Sequence, residues 1–566
     1  MAKSPLIISI FLGSLGYLTF KLRFSEIPQT GINISAPVIQ HPELPDTPAY
    51  KVQVLQPAPS PLPVSAVTSP AASIAPTPRS EPILVDRILS VSEVTAIFLK
   101  SLVKSAEDFL GKPIEGAVIS VPTTFTDVQR SALEKAASEA DVTVLQLVDE
   151  VAAAAATTTA PSWSSERPDR TQLVVDFGSS SVSIALLSIR EGLAYVLAAS
   201  NTTSASAELI DQKLIKFFST DFTKKTKIPL TVCPAPASSP ADQRAEAKLG
   251  LAIEHTKRTI SASPGVATCS VESLKEGMDY TGSINRMRFD MLASPIYAAV
   301  AKEITSLLSS AAFDPHDIDE IAYIGGTGCL PGLDERLQLE VGFREDIETP
   351  FSRGTVVGGG VGDPTTVISR GCAIQAALLN SIGGTPEEDE LKASFDRGSK
   401  AAEVKATTKT IGILFPNDLE ENKELGGTWI PIVQKETALP VRRIVSFEVG
   451  LTESSKRIAF ELWEVKDGIR VEKVVPPKVD DEEEEEPEEI EVKHRTLTKE
   501  TLLGTIDTNA KLGIQTKGKG KDAGKWLTQV NVQIIVGIEG HVEVELREVG
   551  EGGVVESLKV PAYEMN

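Results

Sequence analysis

The chain has 566 residues, 41% of them hydrophobic and 24% charged, with a formal net charge of -22. That length exceeds a single hydrophobic core and implies roughly two or three domains of a globular rather than a disordered protein. The acidic balance argues against a protein that grips nucleic acid through its own surface, and the scattered cysteines (Cys233, Cys269, Cys329, Cys372) and histidines argue against a disulfide scaffold or a metal centre.

At the amino terminus, Ser4–Phe20 is an uncharged, largely apolar run between Lys3 and Lys21. It falls slightly short of the roughly 20 residues a membrane helix needs. For residues 1–36 three readings stand side by side: a signal anchor, a buried pair of strands, or sequence added by a misassigned gene start. Residues 37–82 are rich in proline, most densely over Leu55–Pro82, and read as an extended linker. Packed structure is expected from Ile83. Val94, Ile97, Phe98, Leu102, Ala106 and Phe109 recur at helical spacing, which predicts a helix over Ser92–Leu110 stopped by Gly111. Strands and helices then alternate to about Leu379, so residues 83–385 read as an α/β domain. A polar linker follows at 386–408. Beyond it, Ile444–Val449, Ile458–Trp463, Val530–Ile535 and His541–Leu546 alternate apolar with polar residues, which predicts an antiparallel β-domain over 409–566. The acidic loop 478–491 and the small Lys517–Lys521 loop within it read as solvated.

Three strand ends in the α/β domain carry candidate chemistry: Val118–Arg130 with the acidic pair Asp149–Glu150 downstream, Leu173–Ser181, and Ile321–Pro331. Separated turns of this kind suggest a nucleotide held between lobes; a single P-loop looks different. Gly178, Gly325 and Gly326 let the backbone approach a ligand, with their N–H groups free to face phosphate or ribose. Asp176, at a strand end, is placed to orient water or a hydrated Mg²⁺. Glu254, Lys257, Arg258 and Ser261 fall on one helical face, a spacing that by itself is that of an ordinary charged face.

Taken in order, these segments resemble the heat-shock protein 70 family, whose ATPase domain has the actin fold. The helix ending Phe109–Lys112 and the following Ala117–Arg130 resemble its first connecting segment, and Val174–Gly178 its second phosphate strand. Glu254–Ser261 matches the helix that flanks adenosine, Ile324–Pro331 the adenosine turn, and Arg370–Leu378 the second connecting helix. Gly426–Ile432 and Ala438–Arg443 resemble the opening of the family's peptide-binding β-domain, and Leu502–Gly504 with Gly540–Val544 its end. The match is close to collinear from about Val91 to Val549. It implies an actin-like (ribonuclease H-like) ATPase domain followed by an antiparallel β-sandwich, with ATP and Mg²⁺ as cofactors. It further implies that Glu150 and Asp176 work on the hydrated metal, and that Gly178, Ser179, Ser180, Ser181, Glu254, Lys257, Arg258, Ser261, Gly325 and Gly326 hold the nucleotide, with the arginine stacked on the base.

The departures from the family are equally informative. Its phosphate strand continues Gly-Gly-Gly-Thr where this chain has Gly178-Ser-Ser-Ser181, and an acidic position is Ser183 here. The first phosphate hairpin, and the lysine that attends the transferred phosphate, are not found upstream of Val91, so the ATPase domain is expected to be amino-terminally incomplete and poor in hydrolysis. The family's apolar interdomain linker is replaced by the polar Ala402–Thr408, and the sequence closes at Asn566 without the helical lid. These features resemble the atypical fungal member of the family found in the ribosome-associated complex. That resemblance implies a cytoplasmic co-chaperone that binds ATP with little or no hydrolysis and pairs with a zuotin-type J-domain protein. It would reach the ribosome through that partner, without direct nucleic-acid contact, and support a second heat-shock protein 70 chaperone on nascent polypeptides. An active ATP-hydrolysing chaperone with a misassigned start, a secretory-pathway member anchored through Ser4–Phe20, and an actin-fold remnant without activity are the alternatives.

Overall fold

The computed structural model describes residues 7–11, 38–56, 83–163, 169–354, 356, 360–395, 399, 404–416, 425–452, 456–474, 490–515 and 526–561. The first lobe begins with strand β1 (Ile7–Phe11), followed by β2 (Val38–Gln40), β3 (Pro48–Gln56) and β4 (Ile83–Ser90), which leads directly into helix α1 (Val91–Leu110). Ser90 and Glu93 cap that helix reciprocally, each side chain bonded to the other's backbone N–H, and Gly111 ends it in the left-handed conformation. Next come β5 (Gly116–Val121), α2 (Asp127–Glu139), β6 (Val144–Asp149) and α3 (Glu150–Thr158). The lobe has two sheets: a parallel one in the order β1-β5-β6 and an antiparallel one in the order β2-β3-β4.

Two expectations meet the structure here. Residues 7–11 of the apolar run form a strand, one of the three readings the sequence leaves open. Their backbone pairs with β5 from Ile7 against Gly116 to Phe11 against Ser120, so they form the edge of the parallel sheet. The proline-rich stretch 37–82 is not linker throughout, because β3 pairs with β4 over nearly its whole length and buries Ala49 completely. Proline sits at the first residue of β3, where it withholds no hydrogen bond from the interior of the strand.

The second lobe is built on β7 (Arg170–Phe177), β8 (Val182–Arg190) and β9 (Leu193–Thr202), then α4 (Ala207–Thr226), α5 (Pro240–Ala262), the hairpin β10 (Val266–Lys275) and β11 (Met278–Asn285), α6 (Arg286–Ser310), β12 (Glu320–Ile324) and α7 (Pro331–Val341). Its four-stranded sheet runs β12-β7-β8-β9, with β12 parallel to β7 and the rest antiparallel. Strand β7 is apolar on both faces because both are covered. Leu173, Val175 and Phe177 pack with α4–α7, while Val174 packs with α3 and with α8 (Val367–Ser381). Helices α3 and α8 thus sit between the two sheets, and Gly371 lets them touch: a Cβ there would lie 1.7 Å from the Ala153 carbonyl oxygen.

The expected polar linker 386–408 is structured at both ends. Helix α9 (Pro386–Ser394) occupies its start, and Lys405–Thr407 already bonds to Glu436–Leu439 of the next domain. That domain comprises β13 (Thr410–Pro416), β14 (Gly427–Val433), β15 (Val441–Leu451), β16 (Arg457–Val474), β17 (Ile490–Asn509), β18 (Ile514–Gln515), β19 (Trp526–Val536), β20 (Val542–Glu548) and β21 (Val555–Val560). Its two antiparallel sheets, β14-β13-β16-β17 and β15-β19-β20-β21, enclose a core that includes Ile411, Ile413, Phe460, Leu462, Val530, Val532, Ile534 and Val544. No helix follows this sandwich among the described residues. Of the acidic loop 478–491, residues 478–489 lie outside the described residues, as does Lys517–Lys521, whereas Ile490 and Glu491 belong to β17.

Candidate functional site

The strands β5, β6, β7 and β12 all deliver their carboxyl ends to one cleft between the lobes, a cavity of about 1060 Å³. All twelve residues singled out in the sequence line it: Glu150, Asp176, Gly178, Ser179, Ser180, Ser181, Glu254, Lys257, Arg258, Ser261, Gly325 and Gly326. They reach it from separate stretches of chain, because parallel strands place equivalent ends on the same side of a sheet.

At the floor, the Glu150 side chain opens α3 directly after β6, and Asp176 lies at the end of β7. The two carboxyls interact so closely that ionising both together is disfavoured, and the proton stays on Glu150. Burial raises Glu150 far above the ordinary carboxylate range, and the neighbouring charges of Asp176 and then Asp149 push the same way. Burial also raises Asp176, the hydrogen bond from Glu150 opposing it in part. A hydrated divalent cation fits this pair by taking the place of the Glu150 proton. Among the described residues no third acidic, histidine or cysteine side chain completes a cage, which suits Mg²⁺, an ion that keeps water and phosphate ligands.

Next to the pair, Gly178–Ser181 forms a tight turn between β7 and β8, with the Gly178 N–H bonded to the Ser181 carbonyl at 3.0 Å. The Ser179 carbonyl accepts from the N–H of Glu208 in the first turn of α4, which fixes the turn against that helix. Ser183 stands where the family is acidic; its hydroxyl accepts a bond from Asn201 Nδ2 at 2.7 Å. Directly beside the end of β7, Gly325 has φ +87°, and a Cβ there would lie 2.8 Å from the Phe177 carbonyl, so the β12 turn can pass beside β7 only as glycine. A Cβ on Gly326 would meet nothing, leaving that backbone open to the cavity.

The α5 quartet closes the site on the second lobe. Lys257 Nζ lies 2.8 Å from Asp211 and 3.0 Å from Glu254; burial works against its ammonium, but these two carboxylates outweigh it and raise its pKa. Arg258 projects into solvent, bonded to Glu254 at 3.1 Å, and Ser261 Oγ donates to the Cys329 carbonyl at 2.8 Å, tying α5 to the β12 turn. Sequence reasoning missed Asp211, Asp363 and Thr365, which also line the cavity. Asp363 accepts from the Thr365 N–H at 2.9 Å and from its hydroxyl at 2.7 Å, and its signal was the Gly360–Pro364 turn before α8. Missed too was β1. Being parallel to β5, it also points its carboxyl end, Phe11, toward the cavity side, and the apolar strand followed by Gly13 repeats the pattern read at Gly178 and Gly325.

Fold and cleft together define a two-lobed, actin-like ATPase domain joined to a β-sandwich. A family profile described as Hsp70 protein matches residues 79–389, and the chain belongs to the heat-shock protein 70 family. A heat shock protein 70 homolog of Schizosaccharomyces pombe is 32% identical over 77% of this chain and 73% of its own length. A ribosome-associated complex subunit of Saccharomyces cerevisiae is 28% identical over 65% of this chain and 64% of its own. A ribosome-associated molecular chaperone of Eremothecium gossypii is 30% identical, with 53% and 46% covered. The chain therefore spans between about half and three quarters of the length of these relatives. Among the described residues, no helix is long and apolar enough to cross a membrane.

Proposed function

We propose that this chaperone-family protein binds ATP with Mg²⁺ in the interlobe cavity, turns it over slowly or not at all, and serves in a ribosome-associated complex. The observation that carries the reading is the charge distribution in the cavity. Its described lining has two basic side chains, Lys257 and Arg258, both on α5 at the adenosine wall, and none beside Glu150, Asp176 or the Gly178–Ser181 turn. Phosphoryl transfer depends on positioned cationic charge around the leaving phosphate, and in the described lining that charge stands at the adenosine wall instead, which favours holding nucleotide over cleaving it.

The placement of these residues around the cavity supports a division of labour. Bound Mg²⁺ would supply charge neutralisation of the phosphates. Glu150 would give up its proton and, with Asp176, hold the ion's water ligands. Backbone N–H groups of the serine turn and of Gly326 would face phosphate and ribose oxygens, and Arg258 would lie across the base. The β-sandwich would meet nascent polypeptide or a partner. The similarity to a ribosome-associated complex subunit and to a ribosome-associated chaperone favours a place at the ribosome beside other chaperones of the family; a zuotin-type J-domain partner, indirect attachment through it and a cytoplasmic location are what the resemblance in the sequence adds to this reading. The net charge of -22 suits tethering through such a partner, because ribosomal RNA repels it.

The test pairs equilibrium ATP binding with single-turnover hydrolysis, on the chain alone and with a zuotin-type J-protein, followed by co-sedimentation with ribosomes. Tight binding, negligible turnover and partner-dependent sedimentation are expected. Robust J-stimulated hydrolysis would sink the reading and favour an ordinary chaperone ATPase.

A further inference from the structure

Strand β13 stops pairing with β16 at Val465. Beyond it, Lys466–Val474 pairs only with Ile490–Thr498, a two-stranded ribbon that leaves the sandwich sheet. A ribbon of this kind is marginal in water unless something supports it. Here the support is the ATPase domain. Lys493 Nζ donates to Asp314 at 2.8 Å, and Arg495 reaches the His316 carbonyl at 3.1 Å and Asp319 at 3.5 Å. At the root of the ribbon Lys435 lies over the Phe313 ring, 5.1 Å from its centre. Beside it, Arg190 donates to the Lys435 carbonyl at 2.9 Å, and the buried Arg443 pairs with Glu191 and with Asp169.

Every one of these ATPase-domain residues belongs to the second lobe, either to the ends of β7 and β8 remote from the serine turn or to the Phe313–Asp319 loop. None lines the nucleotide cavity. Asp319 is the central contact: its carboxylate also takes the Thr171 N–H at 2.9 Å and Arg344 at 3.1 Å, which joins the base of β7 to the base of β12. The Gly325 turn lies at the other end of β12, roughly 15 Å away along five residues of strand.

We infer that the β16–β17 ribbon is a latch that holds the β-sandwich on the second lobe whatever nucleotide is bound. A hinge between the two lobes, the motion that opens and closes the cleft, moves neither partner of any of these pairs relative to the other. The sandwich therefore rides on one lobe as a fixed attachment instead of docking and undocking with each nucleotide.

The test is hydrogen exchange on the full-length chain, read at the amides of the ribbon and of residues 313–319, without nucleotide, with ATP–Mg²⁺ and with ADP–Mg²⁺. Undocking removes the ribbon's support, so its amides report the latch. Rates equal within about twofold in all three states are expected; ribbon amides that open in one nucleotide state overturn the inference. K493E/R495E should speed ribbon exchange roughly tenfold through like-charge repulsion, and the swap K493D/D314K should return it toward the wild-type rate. A double reversal that stays fully protected also overturns the latch. Should that variant fail to fold, the wild-type chain between 0.1 and 1 M salt, concentrations over which the Debye length falls from about 10 to 3 Å, decides: exchange that accelerates supports the latch, and exchange indifferent to salt refutes it.

Discussion

Replacing Glu150 with glutamine should stabilise the nucleotide-free protein at alkaline pH while abolishing its response to Mg²⁺–ATP. The folded chain holds a proton on the Glu150–Asp176 pair that the unfolded chain releases, because burial and the Asp176 charge push Glu150 up from 4.5 to about 9. A raised carboxyl contributes its full stability below the unfolded value and loses it as pH rises through the folded one, so the loss falls between about pH 4.5 and 9. At pH 8 the full shift would amount to about 5 kcal/mol at 1.36 kcal/mol per unit, and water entering the open cleft relaxes it to about 2 kcal/mol. Glutamine keeps a hydrogen bond to Asp176 without that titration. Differential scanning calorimetry from pH 5.5 to 9 should show the wild-type midpoint falling with pH and the variant's midpoint about 4 °C higher at pH 8. Mg²⁺–ATP should raise the wild-type midpoint and leave the variant nearly unmoved. A variant less stable than wild type at pH 8, with an unchanged pH profile, would refute the argument from the Glu150 proton.

Three further outcomes are expected. Arg258→Ala removes the exposed cation at the base-facing rim; since Arg258 is 79% exposed, the nucleotide-free midpoint should hardly move, an exposed pair contributing about 0.5 kcal/mol, while fluorescent-ATP titration shows affinity reduced roughly tenfold. Glu320→Ala strips a fully buried carboxylate from Arg170 at 2.5 Å, Arg353 at 2.6 Å and Trp163 Nε1 at 2.5 Å; losing this shared buried partner should cost about 3–5 kcal/mol in urea unfolding. Gly371→Ala drives a methyl into the Ala153 carbonyl and should cost about 3 kcal/mol, separating α3 from α8 and weakening nucleotide binding along with stability.

Much of this protein is determined locally, and those parts were readable from the sequence. The α1 helix announces itself through the Ser90–Glu93 capping box, its apolar spacing and Gly111. The strand-then-glycine turns at Asp176–Gly178 and Ile324–Gly326 announce themselves because a ligand-facing backbone at a strand end needs glycine for close approach or, at Gly325, a positive φ. Period-two alternation gave β15, β16, β19 and β20 of the sandwich, since one face of each meets the core and the other meets water. The order of these signals also carried the family.

Tertiary structure decided the rest. Ile7–Phe11 suits a membrane segment or a buried strand equally well by sequence, and its pairing comes from β5, more than a hundred residues downstream. The α5 quartet has the spacing of any charged helix face; it becomes a wall of the cavity because Lys257 meets Asp211 on α4 and Ser261 meets the Cys329 carbonyl. That Glu150 and Asp176 act on each other's ionisation is invisible in the sequence; two segments from different lobes bring them together, and burial with the charge of Asp176 then favours a proton on Glu150. Likewise, nothing local in the sequence singles out Lys493 and Arg495, whose partners come from the Phe313–Asp319 loop. Hydrophobic period and turn chemistry act within a few residues, whereas charge pairing and desolvation depend on what the fold brings from far along the chain.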